Sequence, residues 1–286
     1  RSAPFSDLAV AASEIDAPAK PVLKSESEFK IMGTSPQKFD IPAKVDGSAQ
    51  FGIDTVLPGM KYAAVKASPV FGAVIESIDE SSIEGMAGVQ KIINLGDAAV
   101  VIADGYWQAQ QALDRLAIEF TTSGNEGVEQ SAIFKQFAKA MDDANADKNN
   151  STDFKTGNTD VAMAESSHFV EAEYKVPYLA HATMEPMNCT AWVHDDQCKL
   201  WMGTQNPLGF AAEVAAALDM EMENVIVHNQ YLGGGFGRRA FPDYAIQAGR
   251  IAAQVTYPVK LIWSREEDMR HDHYRQANIS RFKASL

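Results

Sequence analysis

The run Leu232-Gly233-Gly234-Gly235-Phe236-Gly237-Arg238-Arg239 constrains this chain more than any other stretch. Three consecutive glycines, an aromatic residue, a fourth glycine and paired arginines suit neither helix nor strand. Before it, Asn224 to Leu232 reads as a strand, with Val225, Val227 and Asn229 sharing one face. After it comes a helix over 243–255. Pro242 suits a first turn, and Tyr244, Ala248, Ile251, Ala252 and Val255 recur at helical spacing. A glycine-rich turn between a strand and a helix N-terminus gathers free N–H groups and the helix dipole at one point, which makes an anion site. A plain tight turn is the competing reading, yet such a turn needs neither three glycines nor two arginines.

Two familiar phosphate loops fail on this run. The dinucleotide pattern G-x-G-x-x-G, counted from Gly233 and Gly235, places Arg238 where the third glycine belongs. Counted from Gly235 it ends on Ala240, with both arginines inside the turn. No Gly-Lys-Ser/Thr follows, so a P-loop fails as well. What remains is another phosphate-bearing or pterin-like cofactor, held by backbone N–H groups and by arginine, the side chain suited to bidentate phosphate contact.

The net charge of -13 disfavours nucleic acid and anionic membranes as partners. Arginines and lysines nevertheless gather from the glycine run onward (Arg238, Arg239, Arg250, Lys260, Arg265, Arg270, Arg275, Arg281, Lys283), which favours an anionic ligand bound in a cleft. Cys189 and Cys198 have no metal-ligand spacing and cannot build an iron–sulfur cluster or zinc finger alone. Two free thiols are expected, with a disulfide as the alternative. No apolar run approaches a membrane span, and no signal peptide is visible. The chain starts without Met and stops just after strand-like sequence, so it reads as a piece of a longer protein.

Taken in order, residues 1–38 hold a short apolar-periodic segment (Phe5, Leu8, Ala9, Ala12) and a Pro- and Lys-rich stretch, either a helix with an extended connector or a partly disordered tail. Residues 39–122 read as an α+β unit. A hairpin about Asp46-Gly47 is followed by strands at 60–65, 74–78, 89–93, 99–103 and 117–120. A short helix is capped by Ser81 or Ser82, and a longer one over 106–116 turns Trp107, Ala109 or Gln110, Leu113 and Leu116 to a core. Residues 123–160 carry one helix, at 132–141, and an acidic stretch from Asp142 to Asn150 that suits a solvated linker. Residues 161–286 begin with a strand at 169–176 and a hairpin of 190–193 with 199–202. Asn206 then caps a helix over 208–218 with Pro207 at its first position, and the strand, glycine run and helix described above lead to a strand at 259–263. If strands 199–203, 225–232 and 259–263 run parallel, right-handed crossovers open both loops at one carboxyl edge, where Gln205 and the glycine run line a single crevice. His271 and His273 suit a surface better than a metal pair, and Trp107, Trp192, Trp201 and Trp263 suit the core.

The residues Thr204-Gln205-Asn206-Pro207, with Gly233-Gly234-Gly235-Phe236-Gly237 about 28 residues later, resemble the molybdenum-binding subunits of the xanthine dehydrogenase and aldehyde oxidase superfamily. Arg238-Arg239, His181-Ala182-Thr183-Met184-Glu185-Pro186-Met187 and the segment from Trp263 to Asp272 look closest to the isoquinoline 1-oxidoreductase β-subunit branch, which includes membrane-associated aldehyde dehydrogenases. Residues 39–120 resemble that family's α/β hammerhead domain. The resemblance implies a hammerhead domain at 39–122 followed by part of a molybdopterin-binding α/β domain at 161–286 with βαβ-type units.

It further implies that Gln205 hydrogen-bonds an oxo ligand of the molybdenum, and that Gly234, Gly235, Phe236, Gly237 and Arg238 wrap a molybdopterin in its cytosine dinucleotide form. Phe236 would lie beside the substrate. The implied activity is hydroxylation of an aldehyde or N-heterocycle with oxygen from water. The implied partners are a [2Fe-2S] ferredoxin-like small subunit, a cytochrome c and the remainder of the large subunit. A periplasmic or membrane-associated site is favoured over the cytoplasm. No glutamate matches the purine-contacting residue of xanthine enzymes, and the general base is expected outside this chain, so Glu185, Glu266 and Glu267 are not assigned that role. The isolated chain is therefore expected to be inactive and to hold no cofactor tightly. The alternative is a non-catalytic binding or assembly module on the same scaffold.

Overall fold

Alternation of apolar residues along short strands builds the sheet that carries everything else. The computed structural model describes residues 2–143 and 154–286, in two units, Arg1–Ala49 and Gln50–Leu286. The acidic stretch expected as a linker lies largely outside the described residues.

In the first unit are α1 (Phe5–Ser13), a 3-10 turn at Glu26–Glu28 and α2 (Ile41–Asp46). The hairpin expected about Asp46-Gly47 is instead the end of α2. Pro42 lies in its first turn, Gly47 closes it at φ 81°, and the Ala49 N–H donates to the Ala43 carbonyl at 2.9 Å. An Asp-Gly pair serves both motifs because each needs a residue at positive φ.

In the second unit the chain runs β1 (Lys61–Ala67), β2 (Ile75–Asp79), β3 (Val89–Asn94), β4 (Ala98–Ala103), α3 (Tyr106–Arg115), β5 (Ala117–Phe120), α4 (Gln130–Asp143) and α5 (Thr159–Glu165). It continues with β6 (Phe169–Val176), β7 (Asn188–His194), β8 (Gln197–Met202), α6 (Pro207–Leu218), β9 (Val225–Asn229), α7 (Asp243–Ala252), β10 (Val259–Ile262), α8 (Arg265–Arg270) and β11 (Asn278–Ser285). The main sheet has the order β3-β4-β1-β10-β7-β8-β9, while β2 pairs with β5 and β6 with β11. The fold is α+β.

The period of two along each strand divides the core between the faces of this sheet. Ala98, Val100 and Ile102 of β4 point to the same side as Ala63 and Val65 of β1, where α6 and α7 supply Phe210, Val214, Tyr244 and Ile251. Ala99, Val101 and Ala103 point to the other side with Ala64, where α3 supplies Ala109, Ala112 and Leu113. Because both faces are covered, β4 is a continuous apolar run. The core face of α3 is thus 109, 112, 113 and 116, and Trp107, two residues off that stripe, is 69% exposed instead of buried. Trp263 is buried as expected, whereas Trp192 and Trp201 are half-buried. The Ser81–Ile83 turn has Glu80, not a serine, at its N-cap position, and the Asp79 carboxylate accepts the Ser81 N–H at 2.9 Å.

Strand direction decides where loops emerge. β8 and β9 pair in parallel, β7 is antiparallel to β8, and β10 is antiparallel to β7. Hence β8, β9 and β10 all run the same way, and the segments after Met202, Asn229 and Ile262 leave at one carboxyl edge, where ligands of open α/β sheets bind. The strand expected to reach Leu232 ends at Asn229. Beyond it the Gln230 N–H bonds the Met202 carbonyl at 2.8 Å and the Tyr231 N–H bonds the Gln50 carbonyl at 3.3 Å, turning the chain out of the sheet.

Candidate functional site

Gln205 is held between two pinned neighbours. The Thr204 N–H donates to Asn229 Oδ1 at 2.9 Å and the Thr204 hydroxyl to the Arg239 carbonyl at 3.1 Å. Asn206 caps α6 by accepting the Gly209 N–H at 3.1 Å, with Pro207 at the helix start. The Gln205 N–H donates to the Arg239 carbonyl at 3.0 Å. Its side chain is exposed, and its Oε1 accepts the Gly237 N–H at 3.1 Å. With the oxygen turned to Gly237, the amide nitrogen is left as a donor at the open edge.

Each glycine of the loop answers to a different constraint. A Cβ on Gly233 would lie 2.3 Å from Glu185 Cβ, and one on Gly235 would lie 3.0 Å from Gln205 Oε1. Gly234 and Gly237 have φ of 102° and 104°, conformations that side chains rarely adopt. Phe236, between Gly235 and Gly237, takes φ 56° without being glycine, and the residue is 64% exposed. The N–H groups of Gly234, Gly235 and Phe236 have no hydrogen-bond partner among the described residues. The Arg275 guanidinium donates to the Phe236 carbonyl at 2.7 Å and places a positive charge on the loop's rim.

The two arginines do not face that edge. Arg238 and Arg239 are 1% and 0% exposed. Arg238 donates to both carboxylate oxygens of Asp243, at 2.9 and 2.8 Å, and its Nε lies 3.1 Å from Asp272 Oδ1. Burial, the largest single influence, opposes the charge on Arg238. The Asp243 hydrogen bonds together with the negative charges of Asp243, Asp272 and Asp268 outweigh it and hold the guanidinium above its ordinary pKa. Asp243, raised by burial, is drawn lower overall by His273 and Arg238. Arg239 donates from Nε to the Gly234 carbonyl at 2.8 Å and from Nη2 to the Glu185 carbonyl and carboxylate at 2.8 and 2.9 Å. The expectation that these side chains clasp a phosphate is therefore corrected. Their charges are matched by buried carboxylates, and they brace the loop from within.

Sequence reasoning did not assign the residues that do the bracing. Glu185 accepts N–H bonds from Ile53 at 3.0 Å and Gly233 at 2.8 Å, and one from the Asn188 amide at 2.9 Å. Asp272 receives the His181 N–H and its ring Nδ1. A buried acid in a chain segment opposite two buried arginines was the available signal, but it exists only once the strands are placed. His271 and His273 do not form a metal pair. His271 lies 3.3 Å from Glu267, and His273 stacks on Phe241 with ring centroids 4.0 Å apart. Among the described residues no group of three or more His, Cys, Asp or Glu side chains is placed to hold a metal ion.

Residues 142–286 match the family described as the molybdopterin cofactor-binding domain. The chain belongs to that family. Its relatives place it in the xanthine dehydrogenase and aldehyde oxidase superfamily. It is 29% identical over 273 residues to the isoquinoline 1-oxidoreductase subunit beta of Brevundimonas diminuta, covering 92% of this chain and 34% of that one. It is also 29% identical over 278 residues to a membrane-bound aldehyde dehydrogenase [pyrroloquinoline-quinone] of Gluconacetobacter polyoxogenes, covering 94% of this chain and 36% of that one. The fold is similar to that of quinoline 2-oxidoreductase from Pseudomonas putida 86, with a TM-score of 0.66 and 18% identity over 90% of this chain and 38% of the other. The chain spans about a third of the length of the curated relatives it matches. Cys189 and Cys198 are both buried free thiols, and among the described residues no helix is long and apolar enough to cross a membrane.

Proposed function

We propose that the carboxyl edge formed by Gln205 and Gly234 to Phe236 is one wall of a molybdopterin site, and that the whole subunit oxidises an aldehyde or an N-heterocycle with oxygen taken from water. One observation carries the reading. Three consecutive N–H groups in a loop of glycines, without a partner among the described residues, lie beside a glutamine whose oxygen is taken by Gly237 and whose amide nitrogen has no partner among those residues. Such donors suit phosphate and oxo oxygens. The crowding at Gly233 and Gly235 also fits, because a Cβ at either would fill space that the loop and its neighbours need.

Molybdopterin, when bound, supplies the redox centre for the hydroxylation. Gln205 would donate from Nε2 to an oxygen ligand of the metal, and the N–H groups of Gly234, Gly235 and Phe236 would hold the cofactor's rim. Arg238 acts inward, keeping Gly237 and the start of α7 in place. Phe236, exposed beside these donors, would flank the substrate and exclude water from one side of it. We assign residues 39–122 to a hammerhead-type unit, 161–286 to part of the cofactor-binding domain, and 1–38 and 123–160 to connecting segments. The cofactor's cytosine dinucleotide form, a [2Fe-2S] small subunit and a cytochrome c as electron acceptors, and a periplasmic or membrane-associated location belong to the same proposal. The isolated 286-residue chain, which spans about a third of its relatives' length, would be inactive on this reading.

The test is metal and pterin analysis of the full-length subunit produced with its iron–sulfur partner. Stoichiometric molybdenum and pterin are expected, with aldehyde or N-heterocycle oxidation lowered by Gln205→Ala. A subunit carrying neither molybdenum nor pterin would sink the reading.

A further inference from the structure

One buried carboxylate ties together three pieces of chain behind the glycine loop. Asp272, whose side chain is 1% exposed, receives the backbone N–H of His181 and its ring Nδ1, the latter at 2.9 and 3.0 Å from its two oxygens. It also meets Arg238 Nε at 3.1 Å. Since a carboxylate accepts, His181 carries its proton on Nδ1. That leaves Nε2 at the far end of a ring that is 6% exposed, without a hydrogen-bond partner among the described residues. This nitrogen lies 3.6 Å from where a Cβ on Gly237 would stand. The ring is thus the back wall of Gly237, the residue whose N–H fixes the Gln205 oxygen at 3.1 Å.

Backbone strain marks the same place from both sides. Ala182, next to His181, has φ 47°, and Phe236, next to Gly237, has φ 56°. Non-glycine residues hold such angles only where surrounding contacts over-determine them. Here those contacts converge on the seam between the 181–185 segment and the loop, where Thr183 also backs Gly234 at 3.3 Å from its would-be Cβ.

We propose that His181 and Asp272 are positioning residues for the Gln205 carboxamide, acting through Gly237. Asp272 sets the ring orientation, the ring sets the Gly237 peptide, and that peptide sets which end of the carboxamide faces the crevice. What the carboxamide is positioned to do rests on the cofactor reading above, but the positioning itself is measured without cofactor.

The experiment uses the purified chain. The side-chain amide signals of Gln205, assigned by their loss in Gln205→Ala, are followed by NMR together with deuterium uptake over 232–240. His181→Ala and Asp272→Asn are expected to move the Gln205 signals to free-glutamine positions and to speed loop exchange by about tenfold, the factor that one lost hydrogen bond represents. Exchange in β4 stays as in the parent. Unchanged Gln205 signals, or a rise in step with β4, overturns the proposal. Should His181→Ala fail to fold, His181→Asn decides, since it keeps a donor near the Nδ1 position and removes only the Nε2 edge. The proposal then requires parental β4 exchange with a released loop, and a parental loop overturns it. Metal and pterin content is a separate measurement, so each reading fails on its own data.

Discussion

The Arg239 guanidinium meets the Glu185 carboxylate at 2.9 Å, with side chains 0% and 6% exposed. Around this pair Glu185 also takes N–H bonds from Gly233 and Ile53, and Arg239 reaches the carbonyls of Gly234 and Glu185. Taking two charges out of water is expensive, and the surrounding hydrogen bonds are what make the pair tolerable. Removing one partner leaves the other charged, buried and unmatched. Glu185→Ala and Arg239→Met are each expected to lower unfolding free energy by about 3–5 kcal/mol. The double variant should lose less than the sum. Urea unfolding of the four proteins closes the cycle, and strict additivity would show that the pair is not coupled.

The glycines of the loop make a graded prediction. Gly237→Ala adds a Cβ that meets His181 Nε2 at an ordinary contact distance of 3.6 Å, but at φ 104°, which costs about 1–2 kcal/mol. Gly233→Ala drives a Cβ to 2.3 Å from that of Glu185 and disturbs the buried pair, so it should cost more. Gly127→Ala, with nothing within 4 Å and no positive φ, should stay within about 0.5 kcal/mol of the parent. Urea midpoints of the three variants give the order, and equal losses at 233 and 127 would contradict the packing described for Glu185.

Much of this site was legible because its signals are local. The Asn206-Pro207 cap, the unbroken apolar run of β4, the alternation of β8 and the helical spacing after Pro242 each act over a few residues, and together they bring Gln205 and the loop to one edge. The role of the arginines was not legible. Whether a guanidinium faces a ligand or the interior depends on where its carboxylates lie, and Glu185 precedes Arg239 by 54 residues. Trp107 was misplaced for a related reason. Size suggested burial, but the stripe of Ala109, Ala112, Leu113 and Leu116 left it on the other side of α3. The Asp46-Gly47 pair failed because its positive φ is shared by two motifs, and only the geometry of Ile41-Pro42 decides between them.

Cys189 and Cys198 are fully buried, and both thiols titrate higher than free cysteine because burial penalises the thiolate, Cys198 rising to about 12. Since the thiolate is the reactive form, neither should react with a thiol reagent in the folded chain near neutral pH. Ellman titration is expected to count no accessible thiol in native buffer and both in denaturant. A thiol that reacts at once without denaturant would mean that β7 and β8 are not packed under α6 and α7 as described.

The same burial fixes the alkaline limit of stability. Cys198 rises from 9.0 to about 12 and Tyr106 from 10.0 to about 12, with burial the leading cause in each, while Cys189 and Tyr244 are also pushed up. Folded pKa values above the unfolded ones mean that the native chain keeps protons the unfolded chain releases. The associated stability is present in full below about pH 9 and is lost as pH rises toward about 12. On the acid side Asp243, lowered overall against the effect of its burial, loses its contribution as pH falls through its folded pKa. Glu267 and Asp268, raised chiefly by burial, act in the opposite sense and flatten that limb. Urea midpoints measured from neutral to strongly alkaline pH should therefore hold steady and then fall, and Cys198→Ala should fall less steeply than the parent. A Cys198→Ala profile parallel to the parent would show that the buried thiol carries none of the alkaline loss.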